Sequence, residues 1–295
     1  MSEEFITGVK YALTICAALA AMLNLLVLAV FVRTRSLRMK HYGFLINLTL
    51  ADLFYAVMAI AYTWAESEVV FVIFFSGYFV GVWTILAEAI NRYLAVSLWT
   101  RQASYHALVS KSRLLVVCVF IWVVSFAVEI LPAFLANADV YAVIEGVVKP
   151  AVVFLFWLIT AVLYVIVFRK IRPVHAAFES TSPLQPSEEQ ARLRMSQIQL
   201  LLVTFSLILV TSFVCWMPFS VIQLVQFLHG DLKNLEAAYW MSGTVYCLAP
   251  LINPCIYWLR LAGFREGFRK LFCGCLTQEP SPILEAEHST LDGDL

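Results

Sequence analysis

Residues 199–228 read QLLLVTFSLILVTSFVCWMPFSVIQLVQFL, a stretch that contains no charged side chain. About 20 helical residues cross a hydrocarbon core of roughly 30 Å, so this stretch is long enough to span a membrane. Because lipid offers no hydrogen-bond partners, a single spanning segment must satisfy its backbone internally, as a helix does. The stretch therefore predicts a transmembrane helix, and the number of similar stretches decides the fold.

Six more apolar stretches of comparable length accompany this one. Hydrophobic residues make up 62% of the chain, charged residues make up 14%, and the mean hydropathy is +0.84. A soluble domain is far less apolar, so the chain is an integral membrane protein. We predict an all-α fold, a seven-transmembrane helix bundle, with spans at 9–33, 41–65, 69–97, 113–135, 141–168, 199–228 and 237–260.

The basic residues fall on alternate connections between the spans. They follow the first, third, fifth and seventh spans, whereas the other side holds only Lys10, Lys149 and Lys233. Basic residues are enriched on the cytosolic side of membrane proteins, so we expect an extracellular amino terminus and a cytosolic carboxyl terminus.

This topology divides the chain into three regions. We expect an extracellular segment over 1–8, the helix bundle over 9–272, and a disordered acidic tail over 273–295. The connection at 172–195 is rich in Ser, Pro, Gln and Glu, which predicts a flexible loop.

Several polar side chains lie inside the predicted spans, where an unpaired polar group is costly. An amide there often serves only to hydrogen-bond one helix to another, an interpretation that stays open for Asn24 and Asn47. Asp52 lies in mid-span and needs a proton, an ion or several donors. The others are Glu88, Asn91, Arg92, Glu129 and Asn253.

Short motifs occur in register with these spans, and although each is weak alone, seven in order are specific. They are Asn24, Asn47-Leu-Thr-Leu-Ala-Asp52, Asn91-Arg92-Tyr93, Trp122, Tyr164, Cys215-Trp216-Met217-Pro218 and Asn253-Pro254-Cys255-Ile256-Tyr257. With these motifs the chain resembles a rhodopsin-like (class A) G-protein-coupled receptor over nearly its whole length. The resemblance implies a short amphipathic eighth helix starting around Phe264 and Phe268. It is looser towards the group that contains melanocortin, cannabinoid, lysophospholipid and adenosine receptors.

The resemblance also implies how such a chain would signal. Ligand binding would swing the inner end of the sixth helix outwards, with Trp216 and Pro218 acting as toggle and hinge. Arg92 would then meet a heterotrimeric G protein, and arrestin would use the same face. The residues of this switch are Glu88, Asn91, Arg92, Tyr93, Tyr164, Asn253, Pro254 and Tyr257.

Departures from the family pattern alter these expectations. The acid normally beside Arg92 is Asn91, and Glu88 stands four residues earlier on the same helical face. We therefore expect raised basal activity. None of the seven cysteines lies in an outer loop, so the family's outer disulfide cannot form. Cys273 and Cys275, after the eighth helix, are candidate palmitoylation sites.

A second set of departures lies deep in the bundle. Phe156 replaces the usual proline of the fifth helix, and Ser212 replaces the usual phenylalanine four residues before Trp216. The family's sodium site would use Asp52, Asn24 and Asn253. Two places that usually offer oxygens to the ion are Gly81 and Ala249 here.

The expected ligand pocket is apolar and aromatic, which suits a small apolar ligand or a lipid. The alternative is that these aromatic side chains simply pack together. Glu129, with Glu66 and Glu68, could instead attract a basic peptide. The pocket residues are Phe71, Phe74, Phe75, Tyr78, Phe219, Gln223, Tyr239, Gly243 and Cys247.

Taken with the resemblance, these residues predict a plasma-membrane receptor surrounded by lipid. We expect no nucleic-acid partner, no cofactor and no metal site other than the sodium site. A non-signalling receptor-like partner protein and, less well supported, a seven-helix transporter are the alternatives. No phosphate loop, metal-ligand cluster or nucleophile motif supports an enzyme.

Overall fold

A computed structural model describes residues 3–34, 37, 42–65, 67–98, 110–180, 186–230 and 235–272. Within these ranges the side chains of 173–180 and 186–194 are not described. The candidate palmitoylation sites Cys273 and Cys275 and the acidic tail 273–295 lie outside the described residues.

The described residues form eight helical elements. The first four are α1 (Glu3–Arg33), α2 (Gly43–Ala65), α3 (Glu68–Ser97) and α4 (Lys111–Leu135). Helix α5 consists of Ala138–Val143, a π-helical turn at Ile144–Val148 and Lys149–Ser180. The others are α6 (Pro186–His229), α7 (Leu235–Arg260, interrupted at Cys247) and α8 (Ala262–Phe272).

Helices α1 to α6 are each long and apolar enough to cross a bilayer, and α7 taken together with α8 gives the seventh span, which confirms the predicted seven-helix bundle. Helix α8 turns away from α7 by 97°. It buries Phe264 and Gly267 against the bundle and leaves Arg269 and Lys270 exposed. This arrangement is that of an amphipathic helix lying along the end of the bundle. We call this end of the molecule the α8 end and the other the opposite end.

Two boundaries differ from the hydropathy prediction. Helix α1 begins at Glu3, so the segment expected at 1–8 is largely helical, and two acids in its first turn complement the helix dipole. Helices α5 and α6 extend through most of 172–195. The expectation of a flexible loop there is therefore wrong for the described residues. The polar residues that extend α6 are good helix formers that a hydropathy scale does not count.

Apolar side chains face outwards around much of the bundle, as on a lipid-facing surface. On α4, for example, Phe120 and Phe134 are exposed, whereas Ile121, Ser125 and Glu129 are buried. Such exposure would be an aggregation liability in water and is normal in lipid.

The connection between α4 and α5 is very short. Asn137 caps the start of α5, since its Oδ1 accepts a 2.9 Å hydrogen bond from the Val140 amide. All five cysteines among the described residues are free thiols. The opposite end of the bundle is therefore held by noncovalent contacts wherever the structure describes it.

Candidate functional site

Arg92 lies near the α8 end of α3 and is only 1% exposed. Its guanidinium Nε contacts Glu88 Oε1, one helical turn earlier, as a buried ion pair. Asn91 Nδ2 donates to the other carboxylate oxygen of Glu88 over 3.2 Å. Glu88 thus takes the place of the acid that Asn91 replaces, and it binds both neighbouring side chains.

The other switch residues are distributed over α3, α5 and α7. Tyr164 of α5 and Tyr257 of α7 are buried in one apolar cluster with Phe205 of α6. The Tyr164 hydroxyl has no hydrogen-bond partner among the described residues. Tyr93 is half-buried, and the Lys170 ammonium lies 4.6 Å from its ring centroid. With Arg92 buried and α6 packed against these tyrosines, the α8 end is closed in this structure.

The predicted hinge and toggle lie nearer the middle of the bundle. Pro218 interrupts the hydrogen-bond ladder of α6, and the Trp216 ring stacks on Tyr78 of α3 with 6.2 Å between centroids. In α7, Pro254 lies within the helix next to buried Asn253. These positions allow one half of each helix to bend relative to the other.

Most of the predicted ligand pocket is filled by its own aromatic side chains. Phe75 lies 5.6 Å from Phe219, and Phe219 lies 5.3 Å from Tyr239, measured between ring centroids. Phe71, Phe74 and Tyr78 belong to the same cluster. We call this group of rings the aromatic cluster. The alternative interpretation, in which these rings pack together, describes the arrangement seen here.

The remaining pocket residues lie at the edges of this cluster. Cys247 is buried, with its Sγ 3.8 Å from the Tyr55 hydroxyl oxygen. Gln223 is half-buried on α6. A Cβ added at Gly243 would meet no atom within 4 Å, so there is open space beside α7.

A cavity of about 60 Å³ lies beneath the aromatic cluster, towards the α8 end. It begins at Asp52 and Asn253 and passes α3 to reach α5 and α6. The sequence contained a signal for it, because three interior positions along its wall carry unusually small side chains. They are Gly81, Ser212 and Ala249. The complete lining also includes Leu48, Tyr55, Gly77, Tyr78, Val82, Ile85, Phe156, Trp157, Thr160, Leu209, Tyr246 and Pro250.

Asp52 and Asn253 form the polar end of this cavity. Asn253 Nδ2 donates to Asp52 Oδ2 over 2.7 Å, and Asn24 Nδ2 donates to the carbonyls of Ala20 and Pro250, each over 2.8 Å. The amide oxygens of Asn24 and Asn253 have no partner among the described residues. Because Gly81 and Ala249 contribute no side-chain oxygen, the set fits a sodium ion only in part.

Asn47 has a purely structural environment. Its Nδ2 donates to Thr84 Oγ1 over 2.7 Å, and its Oδ1 accepts from Trp122 Nε1 over 3.0 Å. The amide therefore joins α2, α3 and α4, as the interhelical interpretation predicted.

Glu129 does not face the outside of the protein. Lys149 Nζ donates to Glu129 Oε2 over 2.7 Å, and Lys149 also pairs with Glu145. Glu129 is completely buried. The expectation that Glu129 attracts a basic peptide is therefore wrong, because its carboxylate binds a lysine of the same chain. Sequence reasoning missed this cluster because it assigned Lys149 to the surface.

The fold is similar to that in the crystal structure of squid rhodopsin, with a TM-score of 0.76 and 17% sequence identity. The similarity covers 99% of this chain and 92% of that one. In sequence, the chain is 24% identical over 286 residues to cannabinoid receptor 1 from Xenopus laevis. It is 24% identical over an alignment of 313 residues to adenosine receptor A3 from Ovis aries.

These relatives differ in how much of their length is matched. The match covers 96% of this chain and 94% of the adenosine receptor, but 85% of this chain and 60% of the Xenopus cannabinoid receptor. The chain thus spans about three fifths of that cannabinoid receptor. The family described as 7 transmembrane receptor (rhodopsin family) matches residues 23–257, so the chain belongs to the rhodopsin family of seven-transmembrane receptors.

Proposed function

We propose that the chain is a plasma-membrane receptor that passes a ligand signal to a heterotrimeric G protein. In this proposal the α8 end is cytosolic and the amino terminus is extracellular, as the distribution of basic residues favours. Members of this family are receptors rather than enzymes. The observation that carries the proposal is the buried Arg92, paired with Glu88 near the α8 end of α3.

Signalling requires a second arrangement in which α6 moves away from Arg92. A ligand shifts such an equilibrium only by its difference in affinity for the two arrangements. The bend at Pro218 lets the α8-end half of α6 move while the other half stays with the aromatic cluster. Tyr164, whose hydroxyl lacks a partner in the described structure, is then available to donate to a group that this movement uncovers.

We further propose that basal activity is raised. The Glu88–Arg92 pair joins two residues of one helix, so it persists whether α6 is in or out. Glu88 compensates the buried charge of Arg92, but the pair does not connect α6 to α3. A restraint that spanned two helices would have to break when α6 opens, whereas this pair favours the closed arrangement only because Arg92 is buried there.

The cleft beside Arg92 and the opposite end of the bundle suggest which partners would bind. Arrestin would bind at the α8 end, and palmitoylation of Cys273 and Cys275 would hold α8 to the membrane. The ligand would be a small apolar molecule or a lipid. The two named relatives are receptors for cannabinoids and adenosine, which supports a small molecule. Extensive ring packing in the aromatic cluster also favours an apolar ligand.

The test is basal G-protein activation in cells, measured with a panel of activation sensors at matched surface expression. Wild type should signal above mock-transfected cells, and Arg92→Ala should abolish the signal. Arg33→Ala is the matched control, because Arg33 is an exposed arginine at the α8 end of α1, away from the cleft.

Three outcomes of this test separate the alternatives. Loss of signal in Arg92→Ala but not in Arg33→Ala supports a coupled receptor. A wild-type signal that survives Arg92→Ala contradicts the assigned role of Arg92. Silence of wild type in every sensor contradicts raised basal activity and leaves a strictly ligand-dependent receptor or the non-signalling partner protein, an alternative suggested by Asn91.

A further inference from the structure

The cavity beneath the aromatic cluster has a part that the switch residues do not use. This part, which we call the central chamber, lies between α3, α5 and α6. Its walls are Val82, Ile85, Phe156, Thr160, Leu209 and Ser212. It adjoins the Asp52–Asn253 pair but extends away from it across the bundle.

Small side chains leave this space open. A Cβ added at Gly81 would find its nearest atom, Leu48 Cδ1, at 3.7 Å, which is ordinary contact, so packing does not require glycine there. At Gly77 a Cβ would lie only 2.7 Å from Phe54 Cδ1, so that glycine is needed for close helix packing. Ser212 is half-buried although it lines the interior of the bundle. Protein interiors keep few voids larger than a water molecule, so a space of about 60 Å³ beside two acceptor oxygens is a candidate binding site.

The cavity is polar at one end and apolar at the other. At the polar end Asp52 is 8% exposed, and Asn253 Oδ1 is buried without a partner among the described residues. The bond from Asn253 Nδ2 to the Asp52 carboxylate fixes which way this amide points. Both groups therefore present acceptor oxygens. At the other end Ile85, Phe156 and Leu209 offer only apolar surface.

The walls of the chamber suggest how an occupant enters. Towards the opposite end, Tyr78 of the aromatic cluster packs on Trp216 and on Tyr246, with 6.2 and 5.1 Å between ring centroids, and these rings close the chamber on that side. Between α5 and α6, Trp157 and Phe213 close the seam with rings 4.3 Å apart. Nearby Val210 and Val214 face outwards. The shortest route in is therefore from lipid, past two side chains, which favours an uncharged and membrane-soluble molecule.

We propose that the central chamber binds a small, uncharged, membrane-soluble molecule that carries a hydrogen-bond donor such as a hydroxyl. The donor meets the acceptor oxygens of Asp52 and Asn253, and the apolar part lies against Ile85, Phe156 and Leu209. The occupant touches α6 at Ser212, one turn from Trp216, and so can favour one arrangement of α6. Binding itself requires no coupling to a G protein, so this site stands apart from the proposed function.

Photolabelling of the purified chain in lipid nanodiscs tests the site directly. The probe is 4-hydroxybenzophenone, which carries one hydroxyl donor on an apolar, photoreactive body. Labelled residues are identified by peptide mass spectrometry. We expect saturable labelling of Val82, Ile85 or Leu209, and much weaker labelling by benzophenone, which lacks the hydroxyl.

Two phenylalanine variants form the matched comparison. Ser212→Phe fills the chamber and should abolish labelling there. Val210→Phe adds the same ring to the outward face of α6 and should leave chamber labelling unchanged. Thermal unfolding checks that both variants are folded, and Ser212→Leu replaces Ser212→Phe if the larger ring prevents folding.

The proposal has clear contrary results. Adducts confined to outward-facing residues such as Val210, or to the aromatic cluster, would overturn it. Labelling of chamber residues that Ser212→Phe does not reduce would also overturn it. Wild type without any chamber adduct would mean that the space holds water or an ion only.

Discussion

Lys149 of α5 binds Glu129 of α4 through a 2.7 Å hydrogen bond, with both side chains almost completely buried. Lys149 pairs with Glu145 as well, so one ammonium serves two carboxylates. These contacts join α4 and α5 about three turns into α5, in the half of the bundle nearer the opposite end. We conclude that the lysine anchors α5 to α4.

Lys149→Met should destabilise the protein strongly. Removing one partner of a buried ion pair costs about 3–5 kcal/mol, because the other charge remains buried. A lower midpoint of thermal unfolding in nanodiscs is the expected result. Glu129→Gln should cost less than Lys149→Met, because Lys149 keeps Glu145.

Lys270→Met is the control for this prediction. Lys270 pairs with Glu266 over 2.7 Å on α8, but its side chain is 64% exposed. Exposed pairs contribute about 0–1 kcal/mol, so this variant should unfold close to wild type. Equal midpoints for the two lysine variants would refute the anchoring role.

Gly146 brings α5 against α6 within the π-helical turn. A Cβ there would lie 2.6 Å from Phe227 Cβ. This distance is too short, so α5 or α6 would have to shift. Gly146→Ala should destabilise by about 1–3 kcal/mol through overpacking, measured by thermal unfolding. Gly243→Ala is the control, since no atom lies within 4 Å of its added methyl group. The idea fails if Gly146→Ala unfolds no earlier than Gly243→Ala.

Glu88 should set the level of basal signalling. In the closed arrangement Arg92 is buried, so Glu88→Gln removes the carboxylate with which its charge is paired there. In the open arrangement Arg92 faces the cleft, so removing the Glu88 carboxylate costs less free energy there. The variant should therefore favour opening, and each 1 kcal/mol of bias changes the ratio of the two states by about fivefold.

Basal G-protein activation at matched surface levels measures this effect. Glu266→Gln removes a carboxylate from the exposed pair on α8 and should leave the signal unchanged. Unchanged or reduced signalling in Glu88→Gln would contradict the argument.

The sequence predicted the spans and the Glu88–Arg92 pair better than it predicted packing between helices. Hydropathy locates α1 to α7 because lipid imposes one local rule on every spanning segment. The pairing of Glu88 with Arg92 was also predictable, since a spacing of four places both on one helical face. By contrast, the Lys149–Glu129 pair depends on how α4 meets α5, which no local rule specifies.

The central chamber illustrates the same limit. Gly81 and Ser212 were recognised as departures from the family pattern, but they lie on different helices. Whether small side chains leave a void depends on the relative depth and rotation of those helices. Neighbouring rings could equally have filled the space, as they do in the aromatic cluster.

Gly267 determines how closely α8 approaches α1. A Cβ at Gly267 would lie 2.3 Å from Thr34 Oγ1 and 3.1 Å from Val30 Cγ1. Gly267→Ala should therefore displace α8 from α1 and lower both surface expression and the midpoint of thermal unfolding. Gly263→Ala, four residues earlier, is the control, because its Cβ would lie 3.4 Å from the flexible Leu37 side chain. Alanine favours a helix by roughly 1 kcal/mol over glycine, so the control should be neutral or stabilising. If both variants were stabilised alike, the Gly267 contact would not hold α8 in place.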